Sequence, residues 1–292
     1  MKKKIFMVLS SVAVLTMGLL VVACSKDSNT VTPNEEFVVE EVMPAQTLQK
    51  TISAAEWEAF NLEVAKLNAK YLDPEIIGRA KRIGRDSGNM SRDEKVEIIE
   101  ADALGAAQGA KWGKKWGTKG SVAVGVVVGA AASLLKWWEL TGNGLETTTN
   151  PLPSYDELSS DSIAAMIGER HNLIIDDFMN NPIDLTGLSD SVVLANLTNR
   201  YEQLCDPVSV ITKKFIASVR FDRLNNFSPE IRQVLDDFGV ATMGMDANEM
   251  NDYTEEYLEI VETNLSDSDE KTQIATYASV AYYSSSMWEI TE

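Results

Sequence analysis

The sequence predicts an all-α fold, a glycine-rich helical hairpin followed by a C-terminal multi-helix domain. Helical spacing of apolar residues recurs along the 292-residue chain. No Val/Ile/Tyr alternation runs long enough to argue for a strand. Between residues 105 and 129 a glycine stands at every third to fifth position: Gly105, Gly109, Gly113, Gly117, Gly120, Gly125 and Gly129. Glycine inside a helix costs roughly 1 kcal/mol against alanine, so such a helix needs a compensating gain. Close backbone approach between two helices is that gain, and in lipid small-xxx-small spacing drives it.

The elements follow in chain order. Residues 1–23 read as a signal peptide: Lys2, Lys3 and Lys4 start it, an apolar core continues to Val22, and Ala23-Cys24 closes it. The Val21-Val22-Ala23-Cys24 ending resembles a bacterial lipobox, which implies cleavage between Ala23 and Cys24 and lipidation of the Cys24 thiol. Residues 24–50 are polar and read as a flexible tether. No aspartate follows the cysteine, so the expected site is the outer membrane or cell surface. Residues 51–77 hold an N-terminal helix, with Trp57, Phe60, Val64 and Leu67 on one face.

Residues 78–92 form a basic loop of net charge +4. Exposed loops are where proteases cut, so Arg79, Arg82 and Arg85 are candidate processing sites for a trypsin-like or clostripain-like protease. Ser91-Arg92-Asp93-Glu94 is a capping box. It opens the glycine-zipper helix or hairpin over residues 93–140, with a break expected near Thr118-Lys119-Gly120-Ser121. Residues 141–153 form a linker. Residues 154–292 read as an acidic all-helical domain, with Ile163, Ile167, Ile174 and Phe178 on one face and Val193, Leu197, Tyr201 and Leu204 on another. Ser228-Pro229 is a helix start with proline at its first position.

Charge divides the chain. The whole carries −18, and residues 141–292 hold 27 acidic and 8 basic side chains, a net of −19. Residues 103–138 hold five lysines and no acid. An acidic carrier of a cationic island argues against nucleic acid as partner, because phosphates would be repelled by most of the surface. After lipidation only Cys205 remains, and His171 is the sole histidine, so no zinc site of the common His/Cys type can be built. No G-x-S-x-G elbow accompanies His171. No cofactor and no enzymatic activity are expected.

The aromatic positions give the hairpin a second reading. Trp112 and Trp116 precede the apolar run, and Trp137 and Trp138 follow it. From Trp116 to Trp137 is about 31 Å of helix at 1.5 Å per residue, which matches a bilayer's hydrocarbon core, and tryptophan favours both interfaces. Lys119 and Lys136 stand where they can snorkel. The uncharged run from Gly120 to Leu135 falls short of the roughly 20 residues of a usual span. A soluble hairpin buried under the C-terminal domain would show the same residues, and burial followed by insertion is compatible with both.

Glu100-Ala101-Asp102-Ala103-Leu104-Gly105-Ala106-Ala107-Gln108-Gly109-Ala110, together with the lipobox, resembles a set of Bacteroidetes glycine-zipper lipoproteins and bacteriocin-like antibacterial proteins. Gly168-Glu169-Arg170-His171-Asn172 and Ala278-Ser279-Val280-Ala281-Tyr282-Tyr283 are similar to that set as well. The likeness covers about half the chain. It departs from the set in placing Trp and Lys between the glycines. The resemblance implies an exported toxin acting on the envelope of related bacteria. Its partners would be membrane lipid or a lipid A-type anionic surface, an activating protease, and further copies of the chain in a homo-oligomer. The alternative is a non-toxic outer-membrane lipoprotein acting as a binding or structural module.

The remaining polar groups have simpler readings. His171 reads as a polar-face cap or domain-interface contact. Asp176-Asp177 and Asp236-Asp237 lack the Glu-x-x-His partner of carboxylate-bridged sites and read as solvated faces. Asp267-Ser268-Asp269-Glu270 lacks the turn glycine of a calcium loop and reads as a helix N-cap.

Overall fold

Serine caps set where most helices begin. In the computed structural model, residues 51–71, 90–141, 157–158 and 162–288 are described, about 80% of them helical and none in a strand. Ser91 Oγ accepts from the Glu94 amide at 3.3 Å, and the Glu94 carboxylate accepts from the Ser91 amide at 2.7 Å. Ser53 and Glu56 repeat that reciprocal pair. Ser162, Ser209, Ser228 and Ser268 each accept from the amide three residues on. Each such cap satisfies a donor that the helix itself cannot.

The resulting order is α1 (Ala54–Tyr71), α2 (Arg92–Gly113), α3 (Gly117–Thr141), α4 (Ile163–Asn180), α5 (Asp190–Leu204), α6 (Val210–Ile216), α7 (Pro229–Thr242), α8 (Ala247–Asn264) and α9 (Asp269–Met287). Pro229 takes the first turn of α7 behind Ser228, as its sequence predicts. The turn 265–268 separates α8 from α9.

Every residue of α3 from Gly120 to Leu134 is buried. A helix apolar on all sides has to be surrounded, and α2, α4, α5 and α6 do this. Helix α9 lies against α2 and α4 and is itself buried along most of its length, under α7 and α8. Helix α1 docks on α8 through Phe60, whose ring meets Tyr257 edge-on at 5.9 Å. The hairpin and the acidic helices thus share one hydrophobic core.

Two expectations need correction. The break in the glycine series lies at Lys114–Trp116, a single 3-10 turn ending at Gly117, and not at residues 118–121. Gly117 has φ +75°, which glycine adopts without the strain a Cβ would bring, and that decides the place. Ile163 and Leu204 do not join their expected faces: they are 38% and 47% exposed at the first and last turns of their helices, while Ile167, Ile174, Phe178, Val193, Leu197 and Tyr201 are buried. The signal peptide, the tether, Ala23, Cys24, Arg79, Arg82, Arg85 and most of the linker lie outside the described residues.

Candidate functional site, a glycine hairpin sealed in the core

Helices α2 and α3 run antiparallel, and their glycines meet in pairs. A Cβ placed on Gly105 would come 3.3 Å from the Cα of Gly129, and one on Gly109 would come 3.1 Å from the Cα of Gly125. Gly113 faces the Gly120 backbone closely enough to leave no room for a methyl group. The seam brings the two backbones together, and the Ser121 hydroxyl donates across it to the Ala110 carbonyl at 2.9 Å. Five of the six packing glycines read from sequence, Gly105, Gly109, Gly113, Gly125 and Gly129, therefore lie on the seam. Gly117 does not: nothing stands within 4 Å of its Cβ position, and its role is the turn. Gly120, which the sequence reading assigned to the helix break, takes the sixth place on the seam.

The tryptophans mark the two ends of the hairpin, and protein covers them. At the tip, Trp112 and Trp116 pack on Phe215 of α6, with centroids 6.3 and 4.7 Å apart. At the open end Trp137 is buried beside Trp138. The most apolar stretch of the hairpin is long enough to cross a membrane, and 83% of it is buried inside the protein.

The lysines are distributed between the two structural roles. Lys114 reaches Asp267 at 2.6 Å and the Ser268 carbonyl at 2.9 Å, tying the tip to the start of α9. Lys136 pairs with Glu97 at 2.7 Å inside the hairpin itself. The Lys115 ammonium lies 4.2 Å from the Trp116 ring centroid and 4.5 Å from that of Phe215.

A buried polar cluster holds the hairpin to α4 and α9, and the sequence reading did not foresee it. The Asp102 carboxylate is fully buried and accepts from the Ser284 hydroxyl at 2.7 Å and Trp288 Nε1 at 3.4 Å. His171 Nε2 lies 3.9 Å from the same carboxylate. Asn172 accepts at 3.2 Å from His171 Nδ1, if that nitrogen carries the proton, and donates to the Tyr283 carbonyl at 2.7 Å. One turn further along α2, Gln273 of α9 donates to Gln108 at 2.8 Å. Burial raises the Asp102 pKa to about 7, against the pull of its hydroxyl and indole donors, and burial lowers that of His171 to about 4. Near neutrality the pair therefore sits close to its uncharged form, as a low-dielectric site favours.

His171 thus corrects its sequence reading in one respect. It caps no polar face; it lies wholly inside, where α4 meets the hairpin. Asp177 is held by Arg200 and Asp236 by Arg232, so both acid pairs serve ion pairing at helix surfaces. Ser268 caps α9, as expected. Among the described residues no group of three or more His, Cys, Asp or Glu side chains is placed to hold a metal ion. Asp102 carried one signal in the sequence: it stands directly before the apolar run Ala103 to Ala107 that opens the glycine series. Periodicity marks such a residue as buried but cannot name its partners 70 to 190 positions away. No family model, curated protein or solved structure matches this chain.

Proposed function

We propose that this chain is an exported, lipid-anchored antibacterial toxin of the bacteriocin-like kind, acting without enzymatic chemistry. Its glycine hairpin would disrupt the envelope membrane of related bacteria after proteolytic release. The observation that carries the reading is the way the hairpin is packed. Its closest contacts are internal, along the glycine seam, so α2 and α3 can move as one unit. Its polar ties to α9 are a few pairs and the Lys114–Asp267 bridge, set within an extensive apolar contact between α2 and α9. A rod of valine and alanine sealed by acidic helices is protected from water in one state and suited to lipid in another. The span between Trp116 and Trp137 sets the depth, the lysines favour anionic head groups such as those of lipid A, and the lipid on Cys24 keeps the chain at the outer membrane or cell surface. Cutting at Arg79, Arg82 or Arg85 would separate α1 from the hairpin, and released hairpins could assemble into homo-oligomers.

A cross-link tests this. In a Cys205→Ser background, Gln108→Cys with Gln273→Cys sets two thiols across the space that the touching amides now fill, and a short bis-methanethiosulfonate bridges that space through a disulfide to each thiol. Dye should leak from anionic liposomes after limited trypsin treatment, cease when the bridge forms, and return with reductant. Leakage indifferent to the lock, or no leakage from clipped or whole protein, defeats the toxin reading.

A second reading has its own support. Gln108 and Asp102 are polar groups satisfied by α9, and such pairs suit a permanent core as well as a latch. Under it the chain is a non-toxic outer-membrane lipoprotein serving as a binding or structural module. Replacing Gly113 and Gly125 by leucine would then lower stability and leave no membrane activity to lose.

A further inference from the structure

Away from the hairpin seam, a cleft of about 390 Å³ opens between the start of α2 and helices α7, α8 and α9. That volume is in the range of small-molecule sites. Its wall is mainly apolar: Ile99 from α2, Met250 from α8, and Val240, Met243 and Met245 around the end of α7. Val240 and Met243 are 71% and 45% exposed at its mouth, large side chains left in water. Methionines can reshape around a flexible guest.

The polar groups are as informative as the apolar ones. Tyr277 of α9 lines the cleft and is 5% exposed, with its ring set edge-on to Phe238 at 6.1 Å. Among the described residues no hydrogen bond reaches its hydroxyl. The nearest atom to a Cβ built on Gly239 is that hydroxyl oxygen, at 3.4 Å, so the missing side chain leaves the space over it open. The hydroxyl is open to the cleft rather than sealed in the core, so a ligand acceptor can reach it. Charges at the mouth already compensate one another: Arg232 is bound by Glu100 and by Asp236, the latter at 2.9 Å, and Arg92 donates to the Met243 carbonyl at 3.1 Å. With Arg92 and Arg232 set against Glu100 and Asp236 the lining carries no net charge that would favour a carboxylate guest.

We infer that this cleft binds an uncharged, chain-shaped ligand with an ester carbonyl, of the monoacylglycerol class, with that carbonyl accepting from the Tyr277 hydroxyl and its chain along the methionines. The inference is independent of the membrane-disruption reading, because it concerns monomeric ligand and needs no bilayer.

The test uses the full chain, N-phenyl-1-naphthylamine as fluorescent probe, and 1-monolauroylglycerol and laurate as competitors below their aggregation concentrations. The probe should brighten on binding. Monolauroylglycerol should displace it at a concentration at least ten-fold lower than laurate. Tyr277→Phe, which keeps the cavity and removes one hydroxyl, should weaken monolauroylglycerol about five-fold. Gly239→Leu, which projects into the space over Tyr277, should abolish probe uptake while circular dichroism reports an unchanged fold. Equal displacement by laurate, unchanged affinity in Tyr277→Phe, or full probe uptake by folded Gly239→Leu overturns the assignment.

Discussion

A methyl group on Gly109 would sit 2.6 Å from the Val124 carbonyl oxygen, and that oxygen belongs to a helix that cannot yield locally. Gly109→Ala is therefore expected to destabilise by roughly 1–3 kcal/mol, the usual range for overpacking, despite alanine's better helix propensity. Gly239 offers the opposite case: it lies inside α7, and the nearest atom to its Cβ position is at ordinary contact distance. Gly239→Ala should stabilise by about 0.5–1 kcal/mol. Urea unfolding of the two variants beside the parent chain checks both signs. The same substitution thus separates a glycine that holds two backbones together from one that leaves a cleft open.

The Asp102–His171 pair gives a second prediction at this scale. Asp102 holds its proton to about pH 7 in the folded state against 3.8 ordinarily, so the native chain binds the extra proton between those values and loses stability as pH rises through them. His171 stays neutral down to about pH 4 against 6.5 ordinarily, so the unfolded chain binds the extra proton and stability rises with pH over that window. Between pH 4 and 6.5 the two slopes oppose one another, and the parent protein should be nearly flat in response to this pair. Asp102→Asn should uncover a stability that climbs from pH 4 to 6.5. His171→Gln should uncover one that declines from pH 4 to 7. Thermal melts of parent and both variants across that range decide it; parallel profiles in all three would refute the assignment of these pKa values.

At the scale of elements, the junction of α4 and α5 depends on one side chain. Arg200 of α5 ion-pairs with the Asp177 carboxylate and donates to the Asp177 and Asn181 carbonyls at 3.0 and 2.6 Å, so it closes the C-terminal end of α4. Its guanidinium also lies 5.2 Å from the Phe178 ring centroid. Arg200→Ala removes charge-assisted bonds worth about 1.5–3 kcal/mol each to a buried or half-buried partner, and a loss of about 2–3 kcal/mol in chemical denaturation is expected. The helices themselves were largely legible from residues. The capping box at Ser91 and the Ser228-Pro229 N-cap name their own starts, because the chemistry lies within four positions. The break at Gly117 was not, since Gly113, Gly117 and Gly120 look alike in sequence and only the backbone conformation distinguishes a turn glycine from a seam glycine. The polar ties of α9 to α2 were illegible for a different reason: Gln108 and Gln273 stand far apart in the chain, and nothing local in either one specifies the other.

For the whole molecule, the sequence reading and the structure agree on an all-α architecture, and of the two surroundings the sequence left open for the apolar run the structure has the buried one. Hydropathy measures aversion to water, and lipid or protein can both relieve it; only the arrangement of α2, α4, α5 and α6 around α3 shows that protein does so here. The acidic excess of residues 141–292 meets the cationic hairpin at few places, Lys114 with Asp267 foremost. Lys114→Glu should accordingly loosen the tip without unfolding the rest. Amide exchange in residues 108–121 should quicken while that of α7 and α8 stays unchanged. Uniform acceleration throughout would show that tip and body open together.

Helix α9 is made after the other described helices, yet it covers α2, whose residues emerge from synthesis some 160 positions earlier. Until Asp269–Met287 is available, the alanine- and glycine-rich stretch of α2 has one flank bare, and contacts so distant in sequence form slowly. A chain stopped after Ser268 should gather into aggregates that fractionate with the pellet, and the unfinished chain during its own making has the same exposure. Whatever keeps that stretch from sticking to its neighbours must act before α9 is in place.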